Sequence, residues 1–354
     1  MSGSGSVTTT RDTLLAALPR LSGRRVVVVG DMLLDAYVYG TAHRLSREAM
    51  VPVFERSYQE TQPGGGAFPA LGVRAMESAA TIIGSIGDDA TAADLLRHLH
   101  AAGIETAGVI TVRDRVTTCK TRFMAEGFFR FPQQVFRMDD LPREPMPAVV
   151  GEQLAASVRA ITAADAILVS DYRLGIVTPA VIEAVRETAA RLGAMTTVDA
   201  QGDLDPFAGF TLVRNNRAEA VAYLRQPLTT VPEVLDALPQ MRERLNAAHI
   251  VVSLGDEGLA YVGSDGAPQH IPAEPVDVFD VTGAGDTLIV TLTLALAAGL
   301  PLAVAARLGN FAAGVAVRRL GNITVSLDDL REAITEADPE LFDGAFAGEG
   351  GMHG

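Results

Sequence analysis

The chain has 354 residues, 48% of them hydrophobic and 20% charged, and a net charge of −14. That much apolar sequence supports a sizeable core and excludes global disorder, while the acidic balance excludes a general nucleic-acid surface and a basic membrane face. Phosphorylated small molecules stay open as substrates, because a few local basic groups can meet them. Cys119 is the single cysteine, so no internal disulfide and no cysteine-based metal cluster is expected. The N-terminus has no basic stretch followed by an apolar core, and the longest apolar run, 288–298, is too short for a bilayer. The expectation is a soluble cytoplasmic protein with no membrane or nucleic-acid partner.

In chain order, residues 1–23 open on a Ser/Gly/Thr-rich stretch and are expected to be flexible. Residues 24–340 read as one core domain, and the glycine-rich 341–354 as a flexible tail. Residues 25–30 form a Val run ending in glycine, a buried strand; 81–84 is a second, followed by an amphipathic helix over 88–102. A strand over 166–170 leads to a helix over 179–192. Strands over 195–199 and 211–214, a helix over 231–248 and a strand over 249–254 continue the series. Short β-rich runs alternating with helices predict an α/β fold with a mainly parallel sheet covered on both faces. Two stretches, 36–59 and 112–138, alternate without helical periodicity and are predicted to form a smaller sheet projecting as a lid.

Open parallel sheets bind ligands at the carboxyl ends of their strands. The polar residues there are Asp31 and Asp35, Ser170 and Asp171, Asp199, Asn215 to Glu219, and Ser253 to Gly255. The most informative stretch is Asp280-Val-Thr-Gly-Ala-Gly-Asp286, followed by the apolar run 287–298. The glycines allow a tight turn, and the run behind it reads as a buried helix whose first N–H groups make an anion cradle. Gly283, Ala284, Gly285 and the Asp286 N–H would hold phosphoryl oxygens while the Asp286 carboxylate takes a proton from an attacking hydroxyl. The alternative is that Asp286 only caps the helix. The six histidines, His43, His98, His100, His249, His270 and His353, have no spacing that would place a pair beside an acid on one helix face, so none is read as a metal ligand.

These motifs carry a resemblance. Asp280–Asp286, Gly30-Asp31-x-x-x-Asp35, Gly64-Gly65-Gly66, Asn216-x-x-Glu219 and Ser253-Leu-Gly255 resemble, in order and spacing over about 24–335, the ribokinase-like (PfkB) sugar kinases. Within them, Arg44–Val53, Thr118–Arg122 and the Asp171-Tyr172 loop are most similar to the D-glycero-β-D-manno-heptose 7-phosphate kinases. The resemblance implies a three-layer α/β/α core with a β-sheet lid, ATP and Mg²⁺ as cofactors, and a sugar or sugar-phosphate acceptor. It implies a homodimer formed through the lid.

It also implies roles. Asp31 and Asp35 would contact sugar hydroxyls, and Gly64 and Gly65 would let backbone approach the acceptor. Lys120, Arg122 and Arg137 would meet a phosphate on the acceptor, with a plain solvated β face as the alternative. Asn216 and Glu219 would organise Mg²⁺ through water, or merely cap a helix. Ser253, Gly255 and Asn310 would contact nucleotide, and Asp280 matches a position that ligates a monovalent cation such as K⁺ in some relatives.

The chain departs from the pattern at the acceptor. Phe68 stands where the family carries an Asn that bonds a sugar hydroxyl, and Arg173-Leu174 and Ala200-Gln201 replace lysine-bearing loops. Three readings follow: a heptose 7-phosphate 1-kinase, a kinase of another acceptor (sugar, cyclitol or nucleoside), or a non-catalytic sugar- or nucleotide-binding regulator.

Overall fold

A computed structural model describes residues 9–127, 132–264, 266–319 and 321–342. The chain begins with α1 (Arg11–Ala17), β1 (Arg25–Gly30), β2 (Met32–Leu45), β3 (Pro52–Gly65), α2 (Ala67–Ala75), β4 (Ala79–Ile86), α3 (Ala90–Ala101) and β5 (Glu105–Thr111). It continues through β6 (Thr118–Ala125), β7 (Gln133–Asp140), α4 (Ala148–Arg159), β8 (Ala166–Asp171), α5 (Pro179–Leu192), β9 (Met195–Ala200), β10 (Leu212–Asn216) and α6 (Arg217–Leu224). It closes with α7 (Val231–Leu245), β11 (His249–Ser253), β12 (Leu259–Val262), β13 (Gln269–Ile271), α8 (Ala284–Ala297), α9 (Leu302–Val317) and α10 (Leu327–Glu336).

The main sheet runs β13-β12-β11-β10-β9-β8-β1-β4-β5, parallel except at β12 and β13. Strand residues alternate between two cores: Val26 and Val28 face α1, α2, α3 and α8–α10, whereas Val27 and Val29 face α4–α7. Burial on both faces is why β1 is an unbroken Val run and not an alternating one. After β1 the chain goes first to β4 and β5 on one side and later to β8–β11 on the other, so the direction of winding switches between β1 and β8. The carboxyl ends of the strands open into a crevice at that switch. α8 is apolar all round because it is packed between the sheet and α2 and α9; Thr293 meets Thr197 of β9 at 2.9 Å.

The second sheet is ordered β3-β2-β6-β7, with β2 and β6 parallel and the outer pairs antiparallel. Its register places Asp35 between Gln62 and Lys120, and Tyr37 between Glu60 and Arg122. Period-two alternation puts these residues on one face, toward the crevice. The other face carries Phe54, Phe123, Phe136 and Met138; Phe123 packs on Phe54 and Phe136 at centroid distances of 5.6 and 5.7 Å. Phe136 is 60% exposed.

One expectation is corrected. Residues 9–23 are not a loose extension of the flexible start. Leu14, Leu18 and Leu21 are fully buried on helical spacing against α8–α10, Thr10 caps α1, and Arg11 donates to the Ala337 carbonyl. Burial of those three side chains outweighs the low helix tendency of the Ser/Gly/Thr-rich stretch before them. The expected flexible segments at 1–8 and 343–354 lie outside the described residues. Leu18→Ala should therefore cost about 2–5 kcal/mol. Urea unfolding checks it: a midpoint equal to wild type would show that α1 is not part of the core.

Candidate active site

α8 begins at Gly283, whose φ of +77° lets the chain turn sharply onto the helix axis. Asp280 braces this turn. Its Oδ1 accepts from the Thr282 N–H (2.9 Å) and hydroxyl (2.6 Å), and its Oδ2 accepts from the Gly321 N–H (3.0 Å). Asp280, associated in sequence with a monovalent cation, is thus a tie between the turn and the strap that follows α9. The Ala284 N–H bends back to the Val281 carbonyl at 3.3 Å, so of the expected anion cradle it is already engaged. The N–H groups of Gly285 and Asp286 open the helix, where no carbonyl of the preceding turn reaches them.

Gly285 has a specific reason to be glycine. A Cβ there would stand 2.6 Å from Arg214 Nη1 and 2.8 Å from Nη2. Arg214 lies in the middle of β10, is buried, and donates to Asp199 Oδ2 and Ser253 Oγ, both at 2.7 Å. A guanidinium, paired with Asp199, therefore lies directly beneath the turn at the helix N-terminus. Sequence reasoning took this residue only as the end of a strand. A lone arginine in the otherwise uncharged run Leu-Val-Arg-Asn-Asn was the available signal.

Asp286 sits in the first turn of α8, and the Tyr172 hydroxyl donates to its two oxygens at 3.2 and 3.1 Å. Loss of solvent, with the charge of Asp199 adding, pushes the Asp286 carboxyl up to about 7; Arg214 and the tyrosine hydroxyl act in the opposite direction. A carboxylate near neutrality is suited to take a proton at physiological pH.

Tyr172 is held in place by Asp31. The Asp31 carboxylate is fully buried and accepts from the backbone N–H groups of Tyr172 (2.8 Å), Leu174 (3.0 Å) and Ile176 (3.2 Å). The expected sugar contact is thereby corrected: Asp31 is spent on fixing the loop after β8. Burial also pushes the adjacent Asp171 up to about 6, with the Asp31 charge adding.

Asp35 is the acid that remains facing the crevice from the lid. It pairs with Arg122, and Asn322 Nδ2 donates to its Oδ2 at 2.6 Å. Arg122, expected at an acceptor phosphate, is committed to this carboxylate and lies over the Tyr37 ring at 5.2 Å. Gly64 and Gly65 serve the same packing: a Cβ on Gly64 would stand 2.2 Å from Asp35 Oδ2, and one on Gly65 2.4 Å from the Asp31 carbonyl. What approaches the glycines is the protein itself. Phe68 is buried and packs under the turn, its Cε1 2.9 Å from where a Cβ on Gly283 would stand. Lys120 Nζ lies 5.3 Å from the Tyr172 ring centroid. Arg137 is exposed and makes a two-pronged pair with Asp139 at 2.8 Å, away from Asp35. Asn322 carried no recognisable sequence signal.

On the other side of Arg214 a cleft of about 870 Å³ runs from Gly285 past Ser253, Gly255 and Val276 to Asn310. Asn216 and Glu219 form a capping box at the start of α6: each side chain accepts from the other's backbone N–H, at 2.9 and 2.8 Å. Burial raises the Glu219 carboxyl, and the cap uses its Oε2. Gly255 adopts φ +69°, and Asn310 Nδ2 donates to the Pro272 carbonyl at 2.9 Å. Among the described residues no group of three or more His, Cys, Asp or Glu is placed to hold a metal ion, and no helix is long and apolar enough to cross a membrane.

Comparison with known proteins shows the family and the fold. The model of the pfkB family carbohydrate kinases matches residues 24–330. The bifunctional protein HldE of Trichlorobacter lovleyi is 35% identical over 318 residues, covering 89% of this chain and 64% of that protein. The HldE protein of Caulobacter vibrioides is 35% identical over 340 residues, covering 93% and 67%. The chain thus spans about two thirds of the length of these curated relatives. Phosphofructokinase-2 from Escherichia coli in complex with potassium superposes with a TM-score of 0.74 at 22% identity, covering 88% of this chain and 98% of that one. Arabidopsis thaliana ribokinase complexed with ribose and ATP superposes at 0.67 with 19% identity, covering 91% and 100%. At these identities the two structures establish the fold.

Arg214→Met leaves the largely covered Asp199 without its partner and should cost about 3–5 kcal/mol of stability. The double variant Arg214→Met/Asp199→Leu should recover most of it. Chemical denaturation of both proteins checks the pairing, and equal losses in the two would refute it.

Proposed function

Because the chain belongs to the pfkB family of carbohydrate kinases, and so to the phosphotransferases with an alcohol acceptor, we propose that it transfers the γ-phosphoryl group of ATP to a hydroxyl of a sugar phosphate, with D-glycero-β-D-manno-heptose 7-phosphate as the first candidate. The observation that carries this reading is the Asp286 carboxylate, raised toward neutrality at the start of α8 and fixed by Tyr172, with Arg214 beneath the adjoining glycine. ATP, when bound, supplies the phosphoryl group and Mg²⁺ neutralises part of its charge. The residues of the chain do the rest. Asp286 accepts the proton of the acceptor hydroxyl. The first N–H groups of α8, backed by Arg214, stabilise negative charge on the transferred group. Asp35, aligned by Arg122 and Asn322, orients the acceptor.

The apolar side chains Leu254, Val276, Val278 and Val317 line the large cleft and suit a nucleobase, with Ser253 and Gly255 nearer the phosphates. For Mg²⁺ the fit is a light one. Glu219 offers the carboxylate oxygen that the cap leaves over, and a hard ion that keeps much of its water needs little more from the protein. No step is assigned to K⁺, since Asp280 works here as a tie within the fold.

A different acceptor on the same chemistry is favoured by two observations: Phe68 presents a ring beneath the turn, and Arg122 is spent on Asp35, which leaves Lys120, over the Tyr172 ring, as the lid cation for a phosphate. A site shaped for particular hydroxyls discriminates strongly against acceptors that lack them. We also propose that the outer lid face of Phe123, Phe136 and Met138 is covered by a second copy of the chain, since a cluster of that kind marks an interaction surface. A protein that sediments as a monomer at micromolar concentration would remove that part.

Asp286→Asn should lower turnover by about 10²–10⁴ while the KM for ATP stays within a few-fold. Near-normal turnover would remove Asp286 as the base, whereas wild-type protein that binds ATP and turns over no acceptor would leave the regulator reading standing. The wild-type kcat/KM should fall as pH drops through about 7, because the protonated carboxyl cannot accept a proton. Tyr172→Phe removes a hydrogen bond that favours the charged form, so this acid limb should move to higher pH. An acid limb below pH 5 would remove Asp286 as the base. Screening ATP consumption with heptose 7-phosphate, free sugars and nucleosides identifies the acceptor; a preference for unphosphorylated acceptors would end the heptose phosphate reading and leave the kinase one.

A further inference from the structure

Two amides are at issue at the acceptor end of the crevice: the one that Phe68 does not supply, and the one that Asn322 does. Asn322 lies on the strap after α9, close to the point where Asp280 ties that strap to the catalytic turn. Its Nδ2 donates to Asp35 Oδ2 at 2.6 Å. Its Oδ1 is buried and has no hydrogen-bond partner among the described residues. The orientation of the amide is decided by chemistry. Exchanging its oxygen and nitrogen would set the carbonyl oxygen against a carboxylate, two acceptors with no hydrogen between them. The donor end therefore belongs on Asp35, and the acceptor end faces the turn. It lies 3.0 Å from where a Cβ on Gly283 would stand, a point that is also 2.9 Å from the Phe68 ring. Phe68 is all carbon and offers that oxygen nothing. On the other side of the strap, Tyr37 Oη and Gln62 Oε1 are also buried without partners, and Gly321 passes within reach of both.

A buried acceptor left unmet is expensive, and one beside a reactive turn is an exception that a ligand resolves. The missing group must be a donor. Asp35 and the Asn322 carbonyl form adjacent acceptors on a polar wall, an arrangement that suits neighbouring hydroxyls of a polyol. We propose that Asn322 decides which acceptor the site takes, its Oδ1 receiving a hydrogen bond from a hydroxyl of the phosphoryl acceptor and so supplying, from the opposite wall, the amide that Phe68 excludes. This rests on the kinase reading above.

The test uses the whole chain and three probes: D-glycero-β-D-manno-heptose 7-phosphate, fructose 6-phosphate and ribose. Each is compared with analogues lacking one hydroxyl beside the phosphorylated position. For the acceptor that wild type prefers, Asn322→Ala should raise KM about tenfold and leave the KM for ATP within twofold. On the analogue lacking the hydroxyl that meets Oδ1, the variant should lose clearly less than on the parent, the remaining loss being that of the Asn322 hold on Asp35. If Asn322 serves only to aim Asp35, the variant loses equally on parent and analogue, and the proposal is overturned. Adding Phe68→Asn to Asn322→Ala returns an amide to the other wall and should recover most of the lost affinity; no recovery, in a double variant that melts like wild type, also overturns it. Turnover of none of the probes by wild type counts against the proposed function and this inference together. Unchanged discrimination in Asn322→Ala counts against the inference alone.

Discussion

The Arg214 guanidinium lies beneath Gly285 with its nitrogens on Asp199 and Ser253, and the whole crevice depends on that placement. It gathers the ends of β9, β10 and β11 under the start of α8. A buried cation is tolerable only when paired and hydrogen-bonded, and here both conditions are met. The guanidinium sits under the helix N-terminus, where its charge is partly offset by Asp199. Glycine at 285 follows from this, because any side chain would displace the arginine.

The same economy recurs on the other side of Asp286. Asp31 leaves β1 and captures the loop after β8 by three backbone N–H groups; that loop carries Tyr172, whose hydroxyl steadies Asp286. The winding of the sheet switches direction between β1 and β8, so their ends have no connecting loop crossing between them. A carboxylate closes the gap from one strand and a tyrosine reaches across from the other. Beyond burial itself, the protonation of Asp286 is thus set by groups from four separate elements: Asp199 from β9, Arg214 from β10, Tyr172 from the loop after β8, and Asp35 from β2.

The lid shows how an acceptor wall is assembled from strands that would be unremarkable alone. Register places Asp35 beside Gln62 and Lys120, and Arg122 one pair further along, so every second residue faces the crevice. Arg122 and Asn322 are thereby committed to Asp35, and Lys120 lies over the Tyr172 ring. The crevice therefore has a glycine turn backed by Arg214 at one end and a carboxylate held by Arg122 and Asn322 at the other.

The amino-acid sequence by itself determined the layered α/β core, most of its strands, the lid stretches and the start of α8. These depend on local periodicity, on runs such as Val26–Val29 buried on both faces, and on a glycine turn ahead of an apolar helix, all of which can be read within a short window. Only the tertiary structure decided which polar groups meet. Asp31 and Asp35 are four residues apart and alike on paper, yet one is consumed by a loop about 140 residues later in the chain and the other faces the crevice. Arg122 looked like a phosphate ligand until Asp35 took it. Arg214 looked like the end of a strand until α8 came to rest on it. Asn322 and Tyr172 acquire their meaning from partners 287 and 114 residues distant. The physical reason is that a charged or amide side chain is defined by the group that desolvates and pairs with it, and packing, not sequence neighbourhood, chooses that group.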